Sequence, residues 1–217
     1  MNALIPATLG LLALAYFLCG IPFGLVMGRH SAEHVDVRTV GSGNIGMTNV
    51  ARAAGAKAAA LTFLLDVGKG LASMLVARAV LGAVSGLGFA GATMGSQVGP
   101  LVTLVFCANI LGHVFSPYLH FKGGKGISVG FGSALAMCWP LGLAMLAVFL
   151  AFTLPTRYIS AGSVAAAVAT PFLALLLGAT PVASIFVFLP CLVVIWRHAE
   201  NIKRLRAGTE RRFTVHK

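Results

Sequence analysis

Long apolar stretches alternate with short polar ones along the chain, and this alternation predicts a bundle of membrane-spanning helices. The apolar runs cover 5–27, 58–81, 98–117, 126–137, 141–154, 161–178 and 182–196. Several reach the roughly 20 residues that a helix needs to cross a hydrocarbon core about 30 Å thick. Between the fourth and fifth runs stand Trp139 and Pro140. Proline removes a helix donor, so this stretch reads either as two short passes or as one bent pass. Seven passes are preferred, because that count gathers every polar segment on one side. The first run is too long for a cleaved signal and lacks its basic flank, so it is expected to remain as a helix.

Composition agrees with the pattern. Of 217 residues 58% are hydrophobic and 10% charged, and the mean hydropathy is +0.92. Such a chain cannot cover its apolar surface by folding on itself in water. The expected fold is an all-α integral membrane protein, one domain over 1–217, built as a compact bundle of seven transmembrane helices. Basic residues fall at Arg29, Arg38, Arg52 and Lys57, then at Lys122 and Lys125, then at Arg157, then through 197–217; the remaining connections carry none. By the positive-inside rule the N-terminus faces out and the C-terminus and charged loops are cytoplasmic. The net charge of +11 is spread over short loops beside spans, which suits anionic membrane lipid and argues against nucleic acid.

Only Asp66, Lys69 and Arg78 are charged within a predicted span. Asp66 and Lys69, three apart on one helical face, should pair or line a polar cavity, since an ionisable group at the bilayer centre costs about 2.5–3.5 kcal/mol. Arg78 is expected to snorkel to the outer surface. Gly20, Gly24 and Gly28, like Gly91, Gly95 and Gly99, recur every four positions and predict close approach of helix backbones, within the chain or between copies. Cys19, Cys107, Cys138 and Cys191 have no CxxC spacing and read as buried free thiols.

Two polar islands interrupt the hydrocarbon: GSGNIGMTNVAR from Gly41 to Arg52, and FKGGKG from Phe121 to Gly126. Each mixes glycines with a cation, which is how backbone N–H groups and positive charge are gathered around a phosphate. Gly41, Gly43 and Gly46 satisfy GxGxxG, but a membrane span takes the place of the strand that a dinucleotide fingerprint requires. GGKG is no Walker A loop either, because Leu119 holds the first glycine position and Gly126 replaces the hydroxyl residue. A general phosphate cradle remains. Ser42, Asn44, Thr48 and Asn49 offer short donors, and Arg52 can fork two bonds onto phosphate oxygens. Gly123, Gly124 and Gly126 would let the backbone approach an anion between Lys122 and Lys125.

The segments GSGNIGMTNVARAAG, DVGKG, LGH, FKGGKG, RYISAGS and HAENIKRLRAGTE, in this order between spans of these lengths, resemble the bacterial acyl-phosphate:glycerol-3-phosphate acyltransferases of the PlsY type. The likeness covers about 20–210. Ile45, Met47, Ile127 and Ser128 depart from the family's usual residues without changing the polar positions. The resemblance implies an enzyme of the bacterial inner membrane, with its site on the cytoplasmic face. It would move a fatty acyl group from acyl phosphate to the 1-hydroxyl of glycerol 3-phosphate, giving lysophosphatidic acid and inorganic phosphate, the first step of phospholipid synthesis. By position, Ser42, Arg52, Lys125, His198 and Asn201 would be catalytic. Asn44, Thr48, Asn49, His113, Lys122, Gly123, Gly124, Gly126, Ser160 and Ser163 would bind substrate, while Glu210 would support structure.

The chemistry suits the residues. Two phosphate-bearing substrates need two cationic islands, and an acyl phosphate already carries a good leaving group, so no cofactor is implied. The chain has five acidic residues and no carboxylate cluster suited to magnesium. No histidine is followed five positions later by an acid, as an acyltransferase His-Asp signature would require, and nothing is spaced to activate Ser42 as a nucleophile. His113 and His198 are the candidate bases; the alternative is that substrate phosphate itself takes the proton. A transporter for a phosphorylated metabolite is the competing class. It is disfavoured because the polar groups gather on one side and no inverted repeat is evident.

Overall fold

A computed structural model describes residues 3–213. Ten α-helices run in the order α1 (Leu4–Gly20), α2 (Phe23–Arg29), α3 (Met47–Ser85), α4 (Gly88–Gly91), α5 (Gly99–Val114), α6 (Ile127–Met137), α7 (Trp139–Thr156), α8 (Ile159–Leu176), α9 (Pro181–Arg197) and α10 (Ala199–Arg206), with a single 3₁₀ turn at Pro117–Leu119. Five stretches among the described residues are long and apolar enough to cross a membrane: Leu4–Arg29, Met47–Ser85, Gly99–Leu119, Trp139–Thr156 and Ile159–Leu176. A sixth appears if α9 and α10, bent by 56°, count as one broken span. The fourth expected pass is α6, an 11-residue helix. At 1.5 Å per residue it is about 16 Å long, roughly half the core thickness. Cys138 sits between α6 and α7 with extended backbone (φ −158°, ψ 102°), and Trp139 and Pro140 open the next helix. The stretch is therefore two helices and not one bent one.

Helix breaks supply polar groups to the interior. Pro22 forces the preceding Ile21 out of the helical region (φ −54°, ψ 121°), which ends α1 and leaves its last carbonyls free. In a bundle interior these must find partners. Gly20 O accepts from Ser116 Oγ at 2.6 Å, and Ile21 O accepts from Lys69 Nζ at 2.7 Å. Lys69 is in turn 2.7 Å from Asp66, with both side chains buried, so the expected pair is formed.

Arg78 departs from the snorkelling expected of it. Its guanidinium donates to Ala92 O and Ala136 O, each at 2.8 Å, and to Phe89 O at 3.2 Å, while stacking 4.4 Å from the Phe89 ring. The unpaired carbonyls at the end of α6 and beside α4 supply a better partner than lipid headgroups, and the three bonds tie the far end of the bundle together.

Phe106, Met74, Leu81, Met137 and Leu141 are fully buried in the main core, among α3, α5, α6 and α7. A smaller cluster of Leu25, Val37, Ile45, Val50, Ala54 and Leu119 lies under the first polar loop. The first glycine ladder serves that loop. A side chain at Gly24 would run into the Ile45 carbonyl and one at Gly28 would meet Val35 and Val37, so the ladder admits loop backbone where a neighbouring helix was expected. Cys19, Cys107 and Cys191 are buried and Cys138 partly so; all four are free thiols.

Candidate active site

The first island is a loop folded around one buried amide. Asn49 Nδ2 donates to Val37 O at 2.8 Å and to Val40 O at 3.0 Å, while its Oδ1 accepts the Ser42 N–H at 3.0 Å. Gly41 and Gly43 take left-handed backbone (φ 63° and 65°), which lets the chain reverse over Asn49. Asn44 Oδ1 accepts the Gly46 N–H at 2.8 Å. At the loop's outer edge Asp36 forks onto Arg38 (2.6 Å) and Arg29 (3.3 Å), and these bonds, chiefly from Arg38, hold its carboxyl well below the ordinary carboxylate range. The loop delivers the chain to the N-terminus of α3, which has no side-chain cap. Arg52 follows one turn later.

In the second island the two glycines are anchored to the bundle. Gly123 N donates to Val114 O at 2.9 Å and Gly124 N to His113 O at 3.1 Å, satisfying carbonyls at the end of α5. Their own carbonyls accept from Arg197, at 2.9 Å for Gly123 and 3.3 Å for Gly124. A side chain at Gly124 would overlap the His113 ring. Gly126 (φ 89°) then turns the backbone into α6, and Lys125 is aimed inward.

Both islands, the start of α8 and the segment after α9 enclose one cavity of about 280 Å³. Ser42, Asn44, Thr48, Asn49, Arg52, His113, Lys125, Gly126, Ser160, Ser163, His198 and Asn201 all line it. Gly123 and Gly124 do not, and neither does Lys122, which is exposed and borders a separate hollow with Arg38 and His120. Arg204, Arg211, Glu210 and Asp66 also line the cavity. Sequence spacing carried a signal for the first of these: the three-residue step that puts His198 and Asn201 on one face reaches Arg204 at the next step. Nothing local signalled the fold-back of Glu210 and Arg211, which depends on distant partners such as Arg157, whose carbonyl accepts from Phe213 N at 2.7 Å.

A chain of hydrogen bonds orders the cationic wall. Lys125 Nζ donates to Asn201 Oδ1; Asn201 Nδ2 donates to Glu210 Oε1 at 2.6 Å; Ser160 Oγ donates to the same oxygen at 2.7 Å; Arg204 Nε donates to Oε2 at 2.7 Å. Burial alone would raise the Glu210 pKa, but the bonds from Arg204, Asn201 and Ser160 together hold it below the ordinary value. Lys125 is pushed from 10.5 down to about 8, first by burial; Arg204, Arg197 and Arg52 act in the same direction and Glu210 against it. His198, buried past the end of α9, is lowered to about 4 by burial and then by Lys125. Its Nδ1 donates to Val194 O at 2.8 Å, which leaves Nε2 as a neutral acceptor.

Deeper in, Lys69 Nζ donates to His113 Nδ1 at 3.1 Å. An ammonium has no lone pair, so the neutral His113 ring carries its proton on Nε2. Ser163 Oγ donates to Ile159 O at 2.9 Å. The cavity thus offers Arg52, Lys125, Arg204 and Arg211 against two carboxylates, Asp66 and Glu210, with buried side chains at its base and exposed ones at its mouth.

Fold and site together define an integral membrane protein with a pocket built for phosphate-bearing ligands. The profile of the family described as glycerol-3-phosphate acyltransferase matches residues 9–208, and the chain belongs to that family. The glycerol-3-phosphate acyltransferase of Rubrobacter xylanophilus is 42% identical over 204 residues, 94% of each chain. That of Thermus thermophilus is 41% identical, covering 93% of this chain and 92% of its own. Among solved structures, the glycerol 3-phosphate form of PlsY (YgiH), an integral membrane glycerol 3-phosphate acyltransferase, superposes with a TM-score of 0.82 at 34% identity, covering 95% of this chain and 96% of the other. Its lysophosphatidic acid form gives 0.79 at 33%, covering 95% of each.

Proposed function

We propose that this chain acylates glycerol 3-phosphate with a fatty acyl phosphate, releasing lysophosphatidic acid and inorganic phosphate at the cytoplasmic face of the bacterial inner membrane. In this reading the chain passes the membrane seven times, with α6 as a short pass, the N-terminus outside and the C-terminus cytoplasmic. The observation that carries it is the meeting of Ser42 and Arg52, Lys125, and His198 and Asn201 around one cavity rich in cations. One small cavity with that charge suits two phosphates brought together, and the relatives' activity supplies the acyl transfer.

Ser42 and Arg52 hold one phosphate with the uncapped start of α3, and Lys125 holds the other beside Asn201. The 1-hydroxyl oxygen attacks the acyl carbonyl carbon, the bond from that carbon to the phosphate oxygen breaks, and inorganic phosphate departs with the electron pair. The proton of the hydroxyl passes to substrate phosphate. The protein's part is to align the two reactants and neutralise charge on the phosphates, for which preorganised donors in a water-poor cavity are well suited. Loss of turnover in His113→Ala or His198→Ala with binding of both substrates unchanged would overturn the proton route.

The test is purified protein supplied with glycerol 3-phosphate and, in parallel, acyl phosphate or an acyl thioester of the same chain. Lysophosphatidic acid should form from acyl phosphate. Product from the thioester alone would refute the donor, and no product from either would refute the activity. Ser42→Ala, Arg52→Ala and Lys125→Ala should each abolish it.

A further inference from the structure

The mechanism leaves Asp66 without a task, although it lines the cavity and is 2% exposed. Its Oδ1 lies 2.7 Å from Lys69 Nζ and 3.9 Å from His113 Nδ1, yet accepts no hydrogen bond of proper geometry from any described residue. A buried carboxylate oxygen without a donor is costly, and the usual remedy is a donor brought by a ligand. We propose that Asp66 is a specificity-determining residue for the acceptor: its carboxylate accepts a hydrogen bond from the glycerol 3-phosphate hydroxyl that is not acylated. The inference rests on the acyl-transfer reading above.

The other polar groups of the cavity are unsuited to that hydroxyl. Arg52, Lys125, Arg204 and Arg211 have no lone pairs to offer. Glu210, the other carboxylate there, already receives Ser160, Asn201 and Arg204. The Ser160 and Ser163 protons are spent on Glu210 and Ile159 O, and His113 Nε2 carries its own proton. Two free acceptors remain: His198 Nε2, neutral and close enough to Lys125 to feel its charge, and Asp66. A phosphate beside Asp66 would meet like charge, and an acyl chain would bury its carboxylate against hydrocarbon. A hydroxyl group, donating one proton, satisfies it. Lys69, fixed by Ile21 O and His113, keeps the carboxylate ionised and in place.

The experiment compares glycerol 3-phosphate with 3-hydroxypropyl phosphate, which keeps the reacting hydroxyl and the phosphate but lacks the second hydroxyl. A site that hydrogen-bonds a hydroxyl rejects the analogue without it, so wild-type kcat/KM should favour glycerol 3-phosphate by about 10- to 100-fold. In Asp66→Ala/Lys69→Met, which removes both buried charges, the ratio should fall within about threefold while KM for acyl phosphate is unchanged. A residue that merely supports the fold would lower both rates and preserve the ratio. Should the double variant not fold, Asp66→Asn, which retains a weaker neutral acceptor, should give an intermediate ratio. Equal use of the two acceptors by wild type, or an undiminished ratio in the variants, overturns the proposal. Absence of lysophosphatidic acid from wild type and glycerol 3-phosphate would instead refute the reading beneath it.

Discussion

Raising the pH from 7 to 9 should strip the proton from Lys125 in the ligand-free cavity and weaken the hold on phosphate. With its pKa depressed to about 8, Lys125 is charged in about nine-tenths of molecules at pH 7 and in about one-tenth at pH 9, whereas a lysine at 10.5 would stay charged throughout. Since kcat/KM reports ionisations of the free enzyme, it should fall by about tenfold between pH 7 and pH 9, with a bend near 8. The sign follows from the cause: burial and neighbouring cations disfavour the ammonium, so it deprotonates early and function is lost as pH rises. Glu210 is the one neighbour that supports the charge; Glu210→Gln should therefore move the bend to lower pH, and Arg204→Gln to higher. In Lys125→Arg the bend should vanish from the accessible range. The assay is initial-rate formation of lysophosphatidic acid at subsaturating glycerol 3-phosphate, with acyl phosphate replenished against alkaline hydrolysis. A flat profile to pH 9.5, or a bend unmoved by Lys125→Arg, would refute the assignment.

Three further outcomes follow from the geometry around the cavity. Asn49→Ala strands two carbonyls and the Ser42 N–H; at about 1 kcal/mol or more for each, stability should drop by about 3 kcal/mol, read as a melting temperature lower by roughly 6–12 °C, with activity lost. Gly124→Ala should inactivate by displacing His113, while Gly68→Ala, whose added carbon meets nothing within 4 Å, should leave activity intact in the same assay. Asp36 has a depressed pKa, so its contribution to the first loop is present above the ordinary value of 3.8 and lost as pH falls below it. Hydrogen-exchange protection of 30–46 should weaken from pH 5 to pH 3 in wild type, and Asp36→Asn should be weak at both.

Much of the site was legible because polar residues are rare in this chain: where Ser42, Arg52 and Lys125 interrupt hydrocarbon, packing alone does not account for them. What local sequence hides is which partner a polar group chooses. Gly123 and Gly124 look open to an anion in one dimension, yet their N–H groups close the end of α5 and their carbonyls hold Arg197. Arg78 looks like a snorkelling cation until the folded chain offers it three carbonyls. Apolar runs locate helices without measuring them, so 126–137 reads as a pass while the helix it forms is 11 residues long. Glu210 and Arg211 return to the cavity through contacts with residues some fifty positions away, such as Ser160, and no period in the sequence encodes that.

Gly55 breaks α3 with a backbone that only glycine adopts readily (φ 79°, ψ 174°). A side chain there would meet nothing within 4 Å, so the constraint is one of direction and not of space. The eight residues before it carry Thr48 and Arg52; the rod after it carries Asp66 and Lys69. Mouth and floor of the cavity thus belong to two mechanically separate pieces of one helix. In a lineage of such proteins, substitutions that tilt the forward piece can retune how the phosphate is gripped without repacking the bundle, and mutations in the rod can alter the depths of the pocket while the grip is inherited intact.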